Sequence, residues 1–353
     1  MNTVDAIIVG QGLAGSALAW ELLQRDKKVV VFDEPQLNRA SKISAGICNP
    51  ITGRVMSRTY LADRLFPFLN TFYPDAEKIL HRRFFHPLPI YRPFISLDEQ
   101  LQWKEKALST TLQPFITEVR ATPLRPDILN NSFGGLLIAQ AGYLDVEAWV
   151  TAVRETLIDH QSYRAEYFDE KEMKTGEVIA YKDLSASSII FCNGLAARKS
   201  DWFDWLPLEP LKGETLTVRM KFDANWIVSR GVYIVPAREK DTFVVGSTYQ
   251  HAPIEERITT EARTHLAARL AAVVSAPFEI IHQDWGIRPT VKDRRPLLGQ
   301  HPGQRNVIIF NGLGTKGVSL APYFAKALAD GMNNGPGLPE EVNISRFKSL
   351  YSR

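Results

Sequence analysis

The residues best placed to do chemistry stand near the start of the chain. Gly10, Gly12 and Gly15 are spaced G-x-G-x-x-G, with Leu13 and Ala14 inside the motif. An apolar run, Ala6 to Val9, leads into it, and Leu18, Leu22 and Leu23 follow at helical spacing. A second apolar run from Val29 ends in Asp33 and Glu34. Strand, glycine turn, helix, strand and terminal acid form a dinucleotide-binding fingerprint. Gly10 permits the tight turn, Gly12 lets a pyrophosphate approach the backbone, and Gly15 lets the helix lie close to the strand. The helix then offers free N–H groups and a partial positive charge to the phosphates. Asp33 stands 18 residues beyond Gly15, where an acid can hydrogen-bond a ribose diol. An acid there also repels a 2′-phosphate, which speaks against NADP. FAD and NAD share the ADP half, so the fingerprint leaves both open.

Other candidates are less specific. Ala40 to Pro50 is short and polar, and includes Ser41, Ser44, Ala45, Gly46 and Ile47. It reads as a plain loop or as a backbone that passes close to something flat, with hydroxyls able to hold phosphate. Arg54 and Arg58 follow, as anion ligands or as surface charges. The stretch from His81 to Phe94 interleaves arginines with aromatics, which could stack on bases. A net charge of +3, from 42 basic and 39 acidic residues, favours a strand entering a sheet instead. Cys48 and Cys192 are the two cysteines. They have no metal or redox spacing and read as buried thiols. The first strand leaves no room for a signal peptide, and no apolar run is long enough to span a bilayer. The expectation is a cytoplasmic enzyme without a metal.

The elements that must position these residues follow from the pattern. At 353 residues and 45% hydrophobic, the chain is long enough for two domains. Helices are expected within Pro67 to His81, from a capping box Ser96-x-x-Glu99 through Leu108, over Val146 to Asp159 behind Asp145, and over Thr259 to Val274. Strands are expected within Phe133 to Tyr143, within Tyr163 to Ala180, at Ser188 to Cys192, Leu216 to Met220, Gly231 to Val235 and Thr242 to Val245. A final strand, glycine turn and helix run from Asn306 to Gly331. Nucleotide-type units thus sit at both ends, with a β-rich region between.

Several segments, in order, resemble the FAD-dependent amine and amino-acid oxidase family that includes D-amino-acid oxidase, glycine oxidase and sarcosine oxidase. They are the opening fingerprint, SKISAGICNP, IIFCNGLAA, LKGETLTV with VYIVPAREKDTFVVGSTYQ, GIRPTVKDRRPLLG and NGLGTKGVSLAP. The resemblance implies an α/β fold with an α+β insert. A discontinuous Rossmann-like FAD domain (1–80, 141–205 and 281–353) would carry a β-rich substrate domain (81–140 and 206–280). It adds Asn193, Gly194, Arg288, Gly312, Leu313, Gly314, Thr315, Lys316 and Gly317 to the cofactor-binding residues.

For chemistry, it implies oxidation of a carboxylate-bearing amine by hydride transfer to flavin N5, with the imine then hydrolysed. Arg288 matches the arginine that grips a substrate carboxylate, and could otherwise be an ion-pair partner of Asp293. Lys316 matches a lysine with the same task, and could otherwise solvate a loop. Arg54 falls near a further arginine, and Tyr233 and Tyr249 match pocket tyrosines. The segment GIRPTVKDRRP lacks the cysteine that attaches flavin in the sarcosine-oxidase branch, so FAD is expected to bind non-covalently. Val244 replaces the lysine that activates oxygen there, so the acceptor is oxygen or another oxidant. Glu214 stands where the family more often has glutamine. The SAGICNP loop also resembles an FAD domain that oxidises a carboxymethylaminomethyl group on tRNA wobble uridine; a nucleic-acid partner is expected only on that alternative. A flavoprotein holding FAD structurally is a further alternative.

Overall fold

The computed structural model describes residues 1–34, 40–53, 55–222, 225–332 and 337–352. Among them are the α-helices α1 (Leu13–Leu23), α2 (Ala62–Leu80), α3 (Leu97–Lys106), α4 (Val146–Asp159), α5 (Thr260–Val273) and α6 (Gly317–Met332). The chain forms two compact units. The first comprises Met1–Lys42, Val146–Leu211 and Ile287–Arg353, and the second Ile43–Asp145 and Lys212–Gly286.

The first unit is built on a seven-stranded sheet. Its central path runs Tyr163–Arg164, Val29–Phe32, Asn2–Val9, Leu184–Phe191 and Gln304–Asn311, all parallel. Leu297–His301 closes one end antiparallel to Gln304–Asn311. Parallel strands are covered on both faces, so they read as unbroken apolar runs. Val29–Phe32 is buried at every position. Helix α1 has buried residues all round, from Leu13 to Leu22, which is how a helix enclosed on several sides reads. One core joins Ile7, Val30, Phe32, Ile189, Phe191, Val307 and Ile309 to Leu206, Leu208 and Val291.

In the second unit an eight-stranded sheet orders Glu279–Thr290, Glu209–Arg219, Thr242–Gly246, Val232–Pro236, Ile227–Arg230, Ile90–Pro93, Gly135–Ile138 and Ile116–Arg120. The first two strands carry the chain from one unit into the other. Leu266 and Leu270 of α5 pack on Val218, Val228, Ile234, Phe243 and Val245 of this sheet. The aromatic and arginine stretch contributes Phe85–Pro87 and Ile90–Pro93, both strands.

The units divide the chain differently from the expected boundaries. Residues 43–80, expected with the cofactor domain, belong to the second unit, as do 141–145 and 281–286, whereas 206–211 belong to the first. The pairing explains the first of these. Ile47 and Cys48 pair with Tyr143 and Gly142, which pair with His86 and Pro87. Tyr73 of α2 stacks on Phe85, with ring centroids 5.3 Å apart. Helix α2 therefore goes with the strand it packs on. It also starts earlier than expected because Asp63 and Leu65 continue its pattern ahead of Pro67, a residue the helix accommodates.

Candidate functional site

In the first unit the carboxyl ends of the parallel strands carry the glycine loops. Gly10 follows Val9 at φ +96°, a backbone region that only glycine enters at low cost. A Cβ there would stand 2.8 Å from the carbonyl oxygen of Cys192. A Cβ on Gly15 would collide with the carbonyl oxygen of Gly10. Helix α1 thus begins pressed against the strand, with Gly12 as its extended N-cap and no side chain supplying the cap. Its first-turn N–H groups are offered to whatever binds in front of them. Ser41 is there: its Oγ accepts from the Leu13 N–H at 3.2 Å.

Asp33 is 3% exposed and turns inward. One oxygen accepts from the Gln11 N–H at 2.8 Å, and the other accepts from the Tyr163 hydroxyl at 3.1 Å. Gln11 is itself fixed: it donates to Ser16 Oγ and the Val150 carbonyl, and accepts from Arg154 Nε at 2.7 Å. The acid expected to reach a ribose diol also clamps the glycine turn, and the adjacent Glu34 is exposed. Gln11, Arg154 and Tyr163 went unassigned in the sequence because their partners are far along the chain.

The second glycine loop is tied to the segment after Phe191. Asn311 donates from Nδ2 to the Gly194 carbonyl at 2.8 Å and accepts from the Gly312 N–H at 2.8 Å. The Asn193 Oδ1 is buried, with no hydrogen-bond partner among the described residues. A Cβ on Gly317 would stand 3.0 Å from Leu13 Cδ1, so the N-terminus of α6 lies against that of α1. The Thr290 methyl lies 3.6 Å from where a Cβ on Gly314 would stand. Arg288 is two residues before it on the same strand, and both Arg288 and Lys316 are partly buried. Burial and the Arg294 charge lower the Lys316 ammonium to about 8. Leu313 is buried and Thr315 exposed.

The remaining candidates lie in the second unit. Ser44 Oγ accepts from the Gly46 N–H at 3.2 Å. A Cβ on Gly46 would collide with the Leu144 carbonyl oxygen, which keeps the loop of Ala45 and Ile47 close to its neighbouring strand. Tyr233 lies across Gly246, whose Cβ would come within 2.5 Å of the tyrosine hydroxyl. Tyr249 is 63% exposed. Arg54 lies outside the described residues.

Glu214 has a role there that sequence reasoning missed. It is 2% exposed and meets Lys212, 0% exposed, at 2.8 Å. The Thr259 hydroxyl and N–H and the Gln283 amide also donate to it, at 2.8, 2.9 and 2.8 Å. Burial pushes its carboxyl up, but these bonds, Lys212 first, outweigh burial and hold it below the ordinary value. Thr259 caps α5, so the pair anchors that helix. A neutral glutamine would leave the Lys212 charge without its counterion.

No helix among the described residues is long and apolar enough to cross a membrane. No group of three or more His, Cys, Asp or Glu among them could hold a metal ion. Cys48 and Cys192 are buried and unbridged, and burial raises the Cys192 thiol beyond ordinary reactivity.

Comparison with known proteins bears on this geometry. Residues 5–331 match the family described as FAD dependent oxidoreductase. The glycine oxidase of Geobacillus kaustophilus is 24% identical over 366 residues, covering 92% of each chain. Its crystal structure superposes with a TM-score of 0.78 at 20% identity, covering 100% of both chains. The iminodiacetate oxidase of Chelativorans sp. BNC1 gives 0.77 at 19% identity, covering 97% of this chain and 98% of that one. The tRNA 5-methylaminomethyl-2-thiouridine biosynthesis bifunctional protein MnmC of Hahella chejuensis is 22% identical, covering 97% of this chain and 59% of its own length.

Proposed function

The chain belongs to the FAD-dependent oxidoreductase family, and from that premise we propose that it oxidises a carboxylate-bearing amine, an amino acid or N-alkyl amino acid. The observation that carries the substrate class is the pair of cations beside the second glycine loop, Arg288 and Lys316, in a unit whose glycine cradle fits the ADP half of FAD. The fit rests on backbone and donors: Gly10 and Gly15 leave no room for a Cβ, so α1 starts tight against the strand end, and its N-terminus has no side-chain cap on its own helix. Bound FAD supplies a two-electron acceptor, which no side chain can replace.

The chain's residues then bind and orient. Gly12, Leu13 and Ala14 would offer N–H groups to the pyrophosphate, Ser41 a hydroxyl to a phosphate, and Asp33 with Glu34 acceptors to the ribose. Asn193 Oδ1, buried without a partner among the described residues, would accept a hydrogen bond from the cofactor. The N-terminus of α6, after Gly314, would offer its positive end to negative charge on a reduced cofactor. Arg288 supplies a planar fork for the carboxylate and Lys316 a point charge, which together fix the α carbon. By the family resemblance, Tyr233, Tyr249 and Arg54 would also contact the substrate. The amine binds deprotonated, so no strong general base is needed. The segment GIRPTVKDRRP offers no cysteine for attachment, so the cofactor would be held non-covalently. Oxygen or another oxidant would serve as the electron acceptor.

The test is the visible absorbance of the purified holoprotein, kept free of oxygen, as amino acids and N-methyl amino acids are added. Bleaching of the flavin bands by one of them supports the proposal; bands that no such amine bleaches overturn it. The relation to the tRNA-modifying protein favours one second reading, a carboxymethylaminomethyl group carried on tRNA. A salt-sensitive shift of tRNA on a gel, with no bleaching by free amines, supports that reading instead.

A further inference from the structure

Helix α3 is turned inside out. Its buried positions are Gln100 and Trp103, while Leu97 and Leu101 are 54% and 49% exposed. Leu108, in the turn that ends the helix, is 79% exposed. At 100° per residue these three leucines lie within about 40° of one another, a single outward stripe. An ordinary surface helix would point that stripe at the core.

The reversal is held in place by polar contacts. Gln100 Nε2 donates to the carbonyls of Phe133 and Ala121 at 2.8 and 3.3 Å. Glu99 meets Arg230 at 2.7 Å and Arg92 at 3.5 Å, and also accepts from the Ile95 N–H at 3.0 Å. Lys106 donates to the Val55 carbonyl at 2.6 Å. Rolling the helix to bury its leucines would break all of these. The segments that these bonds hold also expose apolar side chains: Ile95 at 67%, Phe133 at 39% and Val55 at 73%. The three leucines, each about half exposed or more, form an apolar stripe of roughly a few hundred Å², within the roughly 300–600 Å² of a monomer's largest patch.

We propose that this face is the contact between two copies of the chain, related by a two-fold axis. The rim decides for a second copy. Lys104 flanks the leucine stripe on one side and Glu105 on the other, by the same wheel. When the axis runs along the helices, Lys104 of each copy meets Glu105 of the other, so the surface complements itself in charge as well as in apolar area. A lipid surface would call for a rim of one positive sign.

The experiment is sedimentation of the full-length, FAD-loaded protein over a wide concentration range. The wild type should sediment as a dimer or a multiple of it. Leu97→Glu with Leu101→Glu should yield half-sized particles that keep their flavin. Lys104→Glu should raise the dissociation constant about tenfold, and adding Glu105→Lys should restore it. If the leucine variant loses its flavin, Leu101→Cys replaces it: an oxidised dimer linked through residue 101 supports the contact. A wild type that stays monomeric throughout, or floats with neutral vesicles as a monomer, overturns the proposal. So does an unchanged dimer in the leucine variant, or a dimer that Leu101→Cys does not cross-link.

Discussion

The two units specify their working parts in different ways. At the nucleotide end of the first unit, the decisive contacts are backbone against backbone. The carbonyl of Gly10 sits where a Gly15 side chain would be, and the carbonyl of Cys192 crowds Gly10. Only one residue type satisfies such contacts, so chemistry and spacing coincide in the sequence. In the second unit the corresponding precision comes from side chains. Lys212, Glu214, Thr259 and Gln283 converge from separate segments, and any residues that balance charge and hydrogen bonds could serve. Backbone-built sites tolerate no substitution, whereas side-chain networks tolerate compensated ones.

The comparison can be broken at its strongest point first. Gly15→Val should abolish flavin binding, so that the purified variant is colourless and absorbs in the ultraviolet alone, and no second substitution should rescue it. Glu214→Gln comes next. Leaving Lys212 buried without its counterion should cost about 3–5 kcal/mol in denaturant unfolding. Lys212→Met added to it should recover most of that loss, which is the compensated change a side-chain network permits. If the single variant unfolds like the wild type, the contrast between the units fails.

Arg288→Ala, under the proposed function, should lower kcat/KM about 100-fold, roughly 3 kcal/mol, with the flavin spectrum intact. Lys316 gives the smallest effect and a pH signature. Its ammonium is already pulled down to about 8 by burial and Arg294. Below that pH the charged form grips a carboxylate, and above it the grip fades. The affinity for a simple carboxylate without an amine, read from the flavin spectrum, should therefore fall severalfold as pH rises through 8, and Lys316→Arg should remove the fall. The stability term has the opposite sense. The folded pKa lies below the unfolded value, so the unfolded chain binds more protons between them. Stability should rise with pH from about 8 toward the ordinary lysine value.

Much of this was legible in the sequence. The apolar runs at Ala6 and Val29 needed no distant partner to be read as strands, and Ser96 does cap Glu99 as the capping box requires, at 3.1 Å. The arginine and aromatic run at residue 81 became strands, as its modest charge implied. What could not be read was long-range. Gln11 gave no signal of its bond to Arg154, a residue on α4. Glu214 looked anomalous until Lys212 and Thr259 were seen around it. The boundary at residue 43 escaped because the strand Ile47–Cys48 is two residues long and declares itself only through pairing with Gly142. The exposed leucines of α3 look in the sequence like any amphipathic stripe, and only the burial of Gln100 shows which way they point.

The first sheet has a consequence for how the chain is made. Asn2 pairs with Leu184 and Val9 with Phe191. At about 5–20 residues per second, the opening strand leaves the ribosome some 10–40 seconds before that neighbour exists. During that interval the Ile43–Asp145 segment emerges, and the glycine turn waits with one flank of its sheet open. A nascent chain stalled at residue 145 therefore displays a bare, apolar strand edge, and chaperone occupancy should peak there and end once Phe191 has emerged.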